Sequence, residues 1–333
     1  MKKKYYFIGV AFFIVLLIGY HFFAASQAEQ MIDEAIQKET QKNDAISVQY
    51  SAIQVAPFAA DVTINDLTII LDNHIERANK LSFDIGYIDF LNIYVGGISY
   101  GLDHLQNLQV AAIRPTYVNK KGLEEIKADT LKISYHGNAL DGLRSAINGT
   151  PFASSQTIEA QSSGLTFSIP QTTFSTVRAH HFQYSGTIAE EQANFWTEGS
   201  HQFQLDSLVW TPSTNFQNSY SFFIKGFGYP TDAIPFKSAQ LHSKPTHKAD
   251  GLHIEGSVRS ELALFSTTGF IQLRTPLEQS KIEGMKISAS EFSNSFSNVL
   301  TNIERLLSFS IPKENGSISL QLEGPISNPS IKK

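Results

Sequence analysis

The sequence predicts a mainly β protein: an N-terminal transmembrane helix, then a one-faced antiparallel sheet, curved or groove-like, with a few amphipathic helices. Three observations lead to this prediction. The chain begins with a long apolar run, most of the rest has apolar residues at every second position, and helical periodicity is confined to short segments. Of the 333 residues, 42% are hydrophobic, which is enough apolar material for a core.

The N-terminal segment MKKKYYFIGVAFFIVLLIGYHFFAAS predicts a membrane anchor. Three lysines precede a run from Tyr5 to Ala25 in which only His21 can carry a charge near neutral pH. About 20 apolar residues cross a ~30 Å hydrocarbon core, whereas the apolar part of a cleavable signal has about 7–15 residues. We therefore expect a cytoplasmic tip at residues 1–4 and an uncleaved span at 5–25. Cleavage near Ala24–Ser26 is the alternative.

The charge pattern orients this span and excludes some partners. Lysines before the span and acidic residues after it predict a cytoplasmic N-terminus and an exported remainder. Without the three lysines, the net charge of −5 becomes −8, and no basic run follows, so we expect no nucleic acid partner. The absence of cysteine excludes disulfides, thiolate metal sites and a cysteine nucleophile.

Residues 26–45 predict a helix that continues outward from the anchor. Apolar residues recur there at helical spacing, namely Ala28, Met31, Ile32, Ala35 and Ile36. Two interpretations stay open: a stalk that holds the body away from the membrane, or a first helix packed on the domain.

From residue 46 to 333 the chain predicts one β-rich domain. Its alternating apolar residues are Val48 and Tyr50; Val62, Ile64, Leu67, Ile69 and Leu71; Leu81, Phe83, Ile85 and Tyr87; Leu131, Ile133 and Tyr135; Leu165, Phe167 and Ile169; and Ile318, Leu320 and Leu322. Because the intervening residues are mostly polar, we expect antiparallel strands with one apolar face. The change of face at Asn65–Asp66 predicts a bulge or bend.

Two helices are predicted within this domain. One runs from Asn138 to about Asn148, and the other from about Glu291 to Leu307, where Ser288 and Glu291 have the spacing of a capping box. Each follows a similar strand, LKIS or MKIS, which indicates either a divergent structural repeat or coincidence. We expect Asn315–Gly316 to form the turn before the last strand.

The whole plan resembles a family of bacterial envelope proteins. A single N-terminal span, a short polar helix, one-faced strands such as VTINDLTI, and a final strand followed by GPISNP at Gly324–Pro329 are similar to the AsmA-like and TamB-like proteins, and to the related YdgA-like family. The resemblance implies an anchor in the cell inner membrane, a periplasmic β-groove with an apolar interior, and a part in phospholipid traffic or outer-membrane upkeep.

The sequence and this resemblance together predict a periplasmic, membrane-anchored protein of envelope lipid homeostasis that binds or shields acyl chains. Its expected partners are the inner membrane and a phospholipid or other acyl lipid. The candidate groove residues are Leu131, Ile133, Leu165, Phe167, Ile318, Leu320 and Leu322. The alternatives are an interaction scaffold with a filled core, whose open sheet edge recruits a partner, and an envelope hydrolase.

Catalytic and metal-binding patterns give little support to the hydrolase. Ser310 and Lys313 match S-x-x-K, but Pro312 interrupts the motif and its companion motifs S-D-N and K-T-G do not occur. His180, His181 and His201 fit no metal-ligand spacing, and adjacent residues in a regular strand point to opposite faces. We therefore predict no enzyme, no metal and no cofactor.

Overall fold

The protein is described here from a computed structural model. The described residues are 22, 25–34, 36–38, 40–41, 46–56, 61–84, 92, 95–96, 100, 103–121, 124–170, 175–246, 251–274, 279–308 and 310–332. Nearly all of the predicted anchor lies outside these residues, as do Ile85 and Tyr87 of one predicted strand. Within the described part of the chain, no helix is both long and apolar enough to cross a membrane.

The fold is mainly β, as predicted, and every strand pair formed by the described residues is antiparallel. The strands are β1 (Ser47–Gln49), β2 (Ala52–Val55), β3 (Asp61–Ile70), β4 (His74–Asp84), β5 (Asn107–Ile113), β6 (Thr116–Asn119), β7 (Glu125–Lys127), β8 (Thr130–His136), β9 (Gln156–Ile169), β10 (Ser175–Ile188), β11 (Ser200–Thr211), β12 (Ile234–Thr246), β13 (Gly251–Arg259), β14 (Leu264–Gln272), β15 (Lys281–Ser290), β16 (Ile318–Pro325) and β17 (Ser330–Ile331).

Four helices that connect some of these strands have their bounds within the described part of the chain. They are α1 (Ala139–Asn148), α2 (Phe195–Glu198), α3 (Thr214–Gly226) and α4 (Asn294–Leu307). Helices α1 and α4 confirm the two predicted ones. Helix α3 was not predicted, because its sequence TNFQNSYSFFIKG is rich in Asn, Ser and aromatic residues, which have modest helix propensity.

The chain forms two compact units: residues 1–120 with 130–140, and residues 121–129 with 141–333. In the first unit, β3 pairs with β1, β2 and β4, while β5 lies between β4 and β8. The helical residues 25–34 pack on this sheet, where Ala25 and Ala28 are buried against Val55 and Val62. The carboxylate of Glu29 accepts a hydrogen bond of 2.8 Å from the backbone N–H of Val55.

The second unit is one continuous sheet in which consecutive strands are neighbours from β9 to β17, and β7 pairs with the end of β9. Helices α3 and α4 follow β11 and β15, which run in the same direction, so both helices lie at the same end of the sheet. Phe227, just after α3, stacks on Phe296 of α4 with ring centroids 5.5 Å apart.

In four neighbouring strands of the second unit, the alternation of inward and outward residues is interrupted once. The four interruptions lie on one line across the sheet. On each strand, two inward residues are three positions apart instead of two, and they align across the strands. These pairs are Ser162 and Leu165 in β9, Ala179 and Phe182 in β10, Leu205 and Leu208 in β11, and Phe236 and Ala239 in β12. We call the line of residues between them the crease.

The crease has a backbone cause and corrects one prediction. Gly164 and Ser207 lie on it with φ of 62° and 53°, a left-handed conformation that reverses the face of the residues that follow. His180 and His181 also lie on it, and both are exposed, with ring centroids 4.3 Å apart. The prediction that they point to opposite faces was therefore wrong.

A residue in the left-handed conformation also occurs in the first unit, at the bend that the sequence predicted. Asp66 has φ of 51° between the buried residues Ile64 and Leu67, which confirms the predicted bend. The turn before the last strand is also confirmed, since Asn315 and Gly316 have φ of 50° and 77°.

The predicted capping box of the last helix was wrong. Ser288 lies within β15, and its hydroxyl is 2.8 Å from that of Ser266 on β14. The N-cap is Ser293, whose hydroxyl accepts a hydrogen bond from the backbone N–H of Phe296 at 3.2 Å. Glu291 instead forms an ion pair with Arg259. The strand runs further than the alternation alone suggested, so the helix begins later.

The face opposite the inward residues is polar across eight strands. One row in register consists of Gln161, Gln183, Gln204, Gln240, Ser257, Ser266, Ser288 and Ser319, on β9 to β16 in order. A sheet with one such face leaves its other face to carry the apolar side chains.

Candidate functional site

The second unit has an apolar cavity of about 410 Å³ on the inward face of β11–β15. Its lining residues are Phe203, Leu205, Ala239, Gln240, Leu241, Gly256, Ser257, Val258, Phe265, Ser266, Thr267 and Ile287. The volume falls in the ~300–1,000 Å³ range of small-molecule sites.

Strand register builds the cavity from two adjacent rows of side chains. One row is Phe203, Leu241, Gly256, Thr267 and Ile287, and the other is Leu205, Ala239, Val258 and Phe265. Because residues i and i+2 of a strand share a face, both rows lie on the inward side. The cavity therefore follows directly from the alternation of five consecutive strands.

Gly256 forms part of the cavity floor. A Cβ at this position would lie 3.1 Å from Thr267 Cγ2 and 3.4 Å from Leu241 Cδ1, so a larger side chain would fill space that the cavity now occupies. The neighbouring strands carry Leu241 and Thr267 in the same row, and the missing side chain at Gly256 leaves a depression between them.

The lining residues include no ionisable one. Gln240, Ser257 and Ser266 belong to the outward polar row and line the cavity only between their inward neighbours, so Thr267 is the polar side chain that the inward rows contribute. Such walls offer no group for general acid or base catalysis, whereas they suit burial of hydrocarbon. Among the described residues, no group of three or more His, Asp or Glu side chains is arranged to hold a metal ion.

An aromatic cluster lies beside the cavity on β10, β11 and α2. His201 is only 3% exposed, and its ring contacts those of Phe195 and Trp196, at centroid distances of 5.0 and 5.3 Å. Tyr184 contacts both His201 and the cavity residue Phe203, whose ring centroid is 4.7 Å away. Because Tyr184 is the register partner of Phe203, the cluster packs beside the β11 wall of the cavity on the same face of the sheet.

Hydrogen bonds hold His201 in one neutral form. Its Nδ1 lies 2.9 Å from the Tyr184 hydroxyl, and its Nε2 lies 2.8 Å from the carbonyl oxygen of Phe195. Burial lowers the pKa of His201 and raises the pKa of Tyr184 to about 12. The imidazole is therefore neutral at pH 7: Nε2–H donates to Phe195, and Nδ1 accepts from Tyr184.

The predicted groove residues occupy three places. Leu131 and Ile133 lie on β8 in the first unit, half-buried, opposite Ala112 and Val110. Leu165 and Phe167 lie on β9 of the second unit and are also half-buried.

The third place is the last strand, where Ile318, Leu320 and Leu322 oppose Ala289, Ile287 and Met285. Leu320 and Ile318 extend the two cavity rows by one strand beyond β15, and Leu320 is 39% exposed. None of the seven predicted residues lines the cavity itself. The lining residues also alternate in sequence, for example Phe203 with Leu205, but nothing in the sequence distinguishes them from other inward positions.

The other sequence candidates are not brought together. Ser310 is exposed, and the Lys313 ammonium lies 3.7 Å from the Glu304 carboxylate at the end of α4. His201 is enclosed in the aromatic cluster, while His180 and His181 are exposed at the crease.

Comparisons of the chain with protein-family models, curated proteins and solved structures find no match. The resemblance to the AsmA-like, TamB-like and YdgA-like proteins therefore stays a prediction.

Proposed function

We propose that the protein is anchored in the inner membrane and that its periplasmic sheet binds or shields the acyl chain of a phospholipid or similar lipid, in the service of envelope lipid homeostasis. The observation that carries this proposal is the apolar cavity on β11–β15. Its walls have no ionisable side chain to recognise a charged ligand, so a hydrocarbon chain is the ligand that fits them best.

The dimensions of the cavity suit one acyl chain. Neighbouring strands lie ~4.8 Å apart, so the path across β11–β15 is roughly 19 Å long. One acyl chain spans half of the ~30 Å hydrocarbon core of a bilayer, which is ~15 Å. Leu320 extends the apolar row to β16 and remains partly exposed, which gives the path an open end.

An interaction scaffold is the second candidate, and the last strands favour it. On the edge facing away from β15, β16 pairs with β17 at Leu322 and Glu323, and the Gln321 carbonyl accepts a hydrogen bond of 2.8 Å from the backbone N–H of Lys332. The backbone of β16 before Gln321 therefore offers a place for strand addition by a partner protein. A scaffold of this kind needs no ligand in the cavity.

Mass spectrometry of lipids that copurify with the full-length protein tests the proposal. We expect the Gly256→Leu variant to carry fewer lipid molecules per protein than wild type, because the new side chain fills the floor of the cavity. Glu255→Leu is the matched control, since Glu255 is exposed on the opposite face of the same strand. Ala239→Leu fills the cavity from the neighbouring strand. It therefore tests the same proposal if Gly256→Leu fails to fold.

Equal lipid content in wild type, Gly256→Leu and Ala239→Leu, with all three proteins folded, would contradict acyl-chain binding in this cavity. The membrane topology is tested separately by reporter fusions at the C-terminus. These should report a periplasmic location, and the protein isolated from membranes should retain residues 1–25.

A further inference from the structure

Two Asn–Gly dipeptides lie in the described part of the chain, Asn148–Gly149 and Asn315–Gly316. Asparagine before glycine is prone to deamidation, in which the backbone nitrogen of the glycine attacks the side-chain amide carbon of the asparagine. Glycine hinders this attack least, because it has no Cβ and adopts most backbone conformations. The residues that follow are also alike, Thr150 and Ser317, so the sequence alone predicts similar rates at both sites.

In the folded protein, the two reacting groups of Asn315–Gly316 are exposed and available. Among the residues that the structure describes, none forms a hydrogen bond with the backbone N–H of Gly316 or with the side-chain amide of Asn315. The turn is closed by two backbone hydrogen bonds of 2.9 Å between Glu314 and Ser317, which flank the reacting pair and do not occupy it. Nucleophile and electrophile can therefore meet without breaking a bond of their own.

Asn148–Gly149 is also exposed, but hydrogen bonds restrain it. The N–H of Gly149 donates to the carbonyl oxygen of Ser145 at 2.9 Å, which continues the hydrogen-bond pattern of α1. Ser145 is only 1% exposed, and its hydroxyl donates to the carbonyl oxygen of Pro151 at 3.2 Å. Attack would require rotation of the peptide between Asn148 and Gly149, and this rotation would break the bond to Ser145.

We propose that Asn315 is a site of spontaneous modification, which deamidates while the protein is folded, and that the fold slows the same reaction at Asn148. A bond forms from the Gly316 nitrogen to Asn315 Cγ, the bond from Cγ to the amide nitrogen breaks, and ammonia leaves with the proton of the Gly316 nitrogen. Water then opens the resulting succinimide at either carbonyl and leaves aspartate or isoaspartate. This inference goes beyond the proposed function, because neither a ligand nor a partner takes part.

The hydrogen bonds set the expected difference in rate. One backbone bond of the kind that holds Gly149 lowers the population of the reactive open form roughly 2–10-fold. The bond from Ser145 to Pro151 adds to this restraint, because it fixes the residues that follow the dipeptide. We therefore expect Asn315 to be converted several times faster than Asn148 in the folded protein.

Modification of Asn315 would alter the start of β16. Both products add a negative charge beside Glu314, and isoaspartate also inserts a methylene group into the backbone of the turn. The turn depends on left-handed conformations at Asn315 and Gly316, with φ of 50° and 77°, and a longer backbone does not keep this geometry. We expect the isoaspartate product to lose the hydrogen bonds between Glu314 and Ser317, so that β16 frays at its first residues.

Peptide mapping of aged protein tests the proposal. The full-length protein in detergent is incubated at mildly alkaline pH below its melting temperature, once folded and once in denaturant. It is then digested in acid, and mass spectrometry quantifies deamidation at positions 148 and 315. The denatured sample is the matched control, because the two dipeptides remain while the hydrogen bonds of the fold are absent.

We expect faster conversion at Asn315 than at Asn148 in the folded protein, and similar rates at both sites in denaturant. The main acidic species that appears on ageing in ion-exchange chromatography should be lost in Asn315→Ser and retained in Asn148→Ser. Equal rates at the two sites of the folded protein would overturn the proposal. A folded protein in which Asn315 stays intact, although it reacts in denaturant, would overturn it as well, since the turn would then prevent the attack.

Discussion

Tyr184 and His201 form a buried hydrogen bond of 2.9 Å between neighbouring strands, from the tyrosine hydroxyl to His201 Nδ1. His201 accepts this bond only while Nδ1 is unprotonated, so the pair links the packing of the β11 wall to the protonation state of a single ring.

Replacing Tyr184 with Phe should destabilise the second unit. The variant retains the ring that packs on Phe203 but leaves His201 Nδ1 buried without a donor, which costs about 1–3 kcal/mol of unfolding free energy. Chemical denaturation of wild type and variant measures this difference. An unchanged denaturation midpoint would show that Nδ1 finds another donor.

Stability should also fall in acid because of His201. Its folded-state pKa lies below the ordinary value of 6.5, so the unfolded chain binds more protons between the two values. The unfolding free energy therefore decreases as the pH falls through this window. The decrease should be smaller in His201→Gln than in wild type, whereas His180→Gln, at an exposed position, should retain it.

The inward face should show a gradient of stability from the interior of the sheet to its last strand. Leu208 is 7% exposed, and Leu208→Ala should cost about 2–5 kcal/mol. Leu320 is 39% exposed, so Leu320→Ala should cost clearly less, and even Leu320→Asp should leave a folded protein. Melting temperatures of the three variants test this order; a large loss for Leu320→Asp would mean that this side chain is packed.

The last helix depends on a single cap. Ser293→Ala removes the acceptor for the Phe296 backbone N–H and should cost about 1 kcal/mol. Ser295→Ala, an exposed position within the first turn of α4, should have little effect. Equal effects in thermal denaturation would argue against Ser293 as the N-cap.

Gly316 is required for the final turn by its backbone alone. It has φ of 77° and open space around it, so Gly316→Ala should cost roughly 1–2 kcal/mol through the left-handed conformation and not through a clash. Gly226→Ala is the matched control, because Gly226 also has open space but no positive φ. We expect this control to be neutral or slightly stabilising in a denaturation experiment.

The strands and their faces were largely readable from the sequence because period-two alternation reflects burial on one side of a sheet. The same rule failed at His180 and His181, where a change of backbone hand on neighbouring strands overrides local alternation. The bend at Asp66 could be predicted because two inward residues three positions apart were visible within one short strand.

The position of the cavity could not be predicted from the sequence. It depends on which inward positions of five strands lie in one row. The sequence of a single strand does not specify its register with its neighbours. Gly256 contributes through the side chain that it lacks, and its neighbours Thr267 and Leu241 are distant in sequence. The buried hydrogen bond of His201 likewise joins strands through contacts that spacing along the chain does not encode.

The crease couples the lengths of four strands, because a change in one requires the same change in the others. Each strand carries one extra residue at this line, so β9, β10, β11 and β12 stay aligned on both sides of it only as a set. Losing Ser207 alone would shift half of β11 by one position against both neighbours and turn its apolar residues outward. We therefore expect a change in length at the crease to be tolerated only when all four strands make it together, which couples positions that span about 75 residues of sequence, from Ser163 to Ser238.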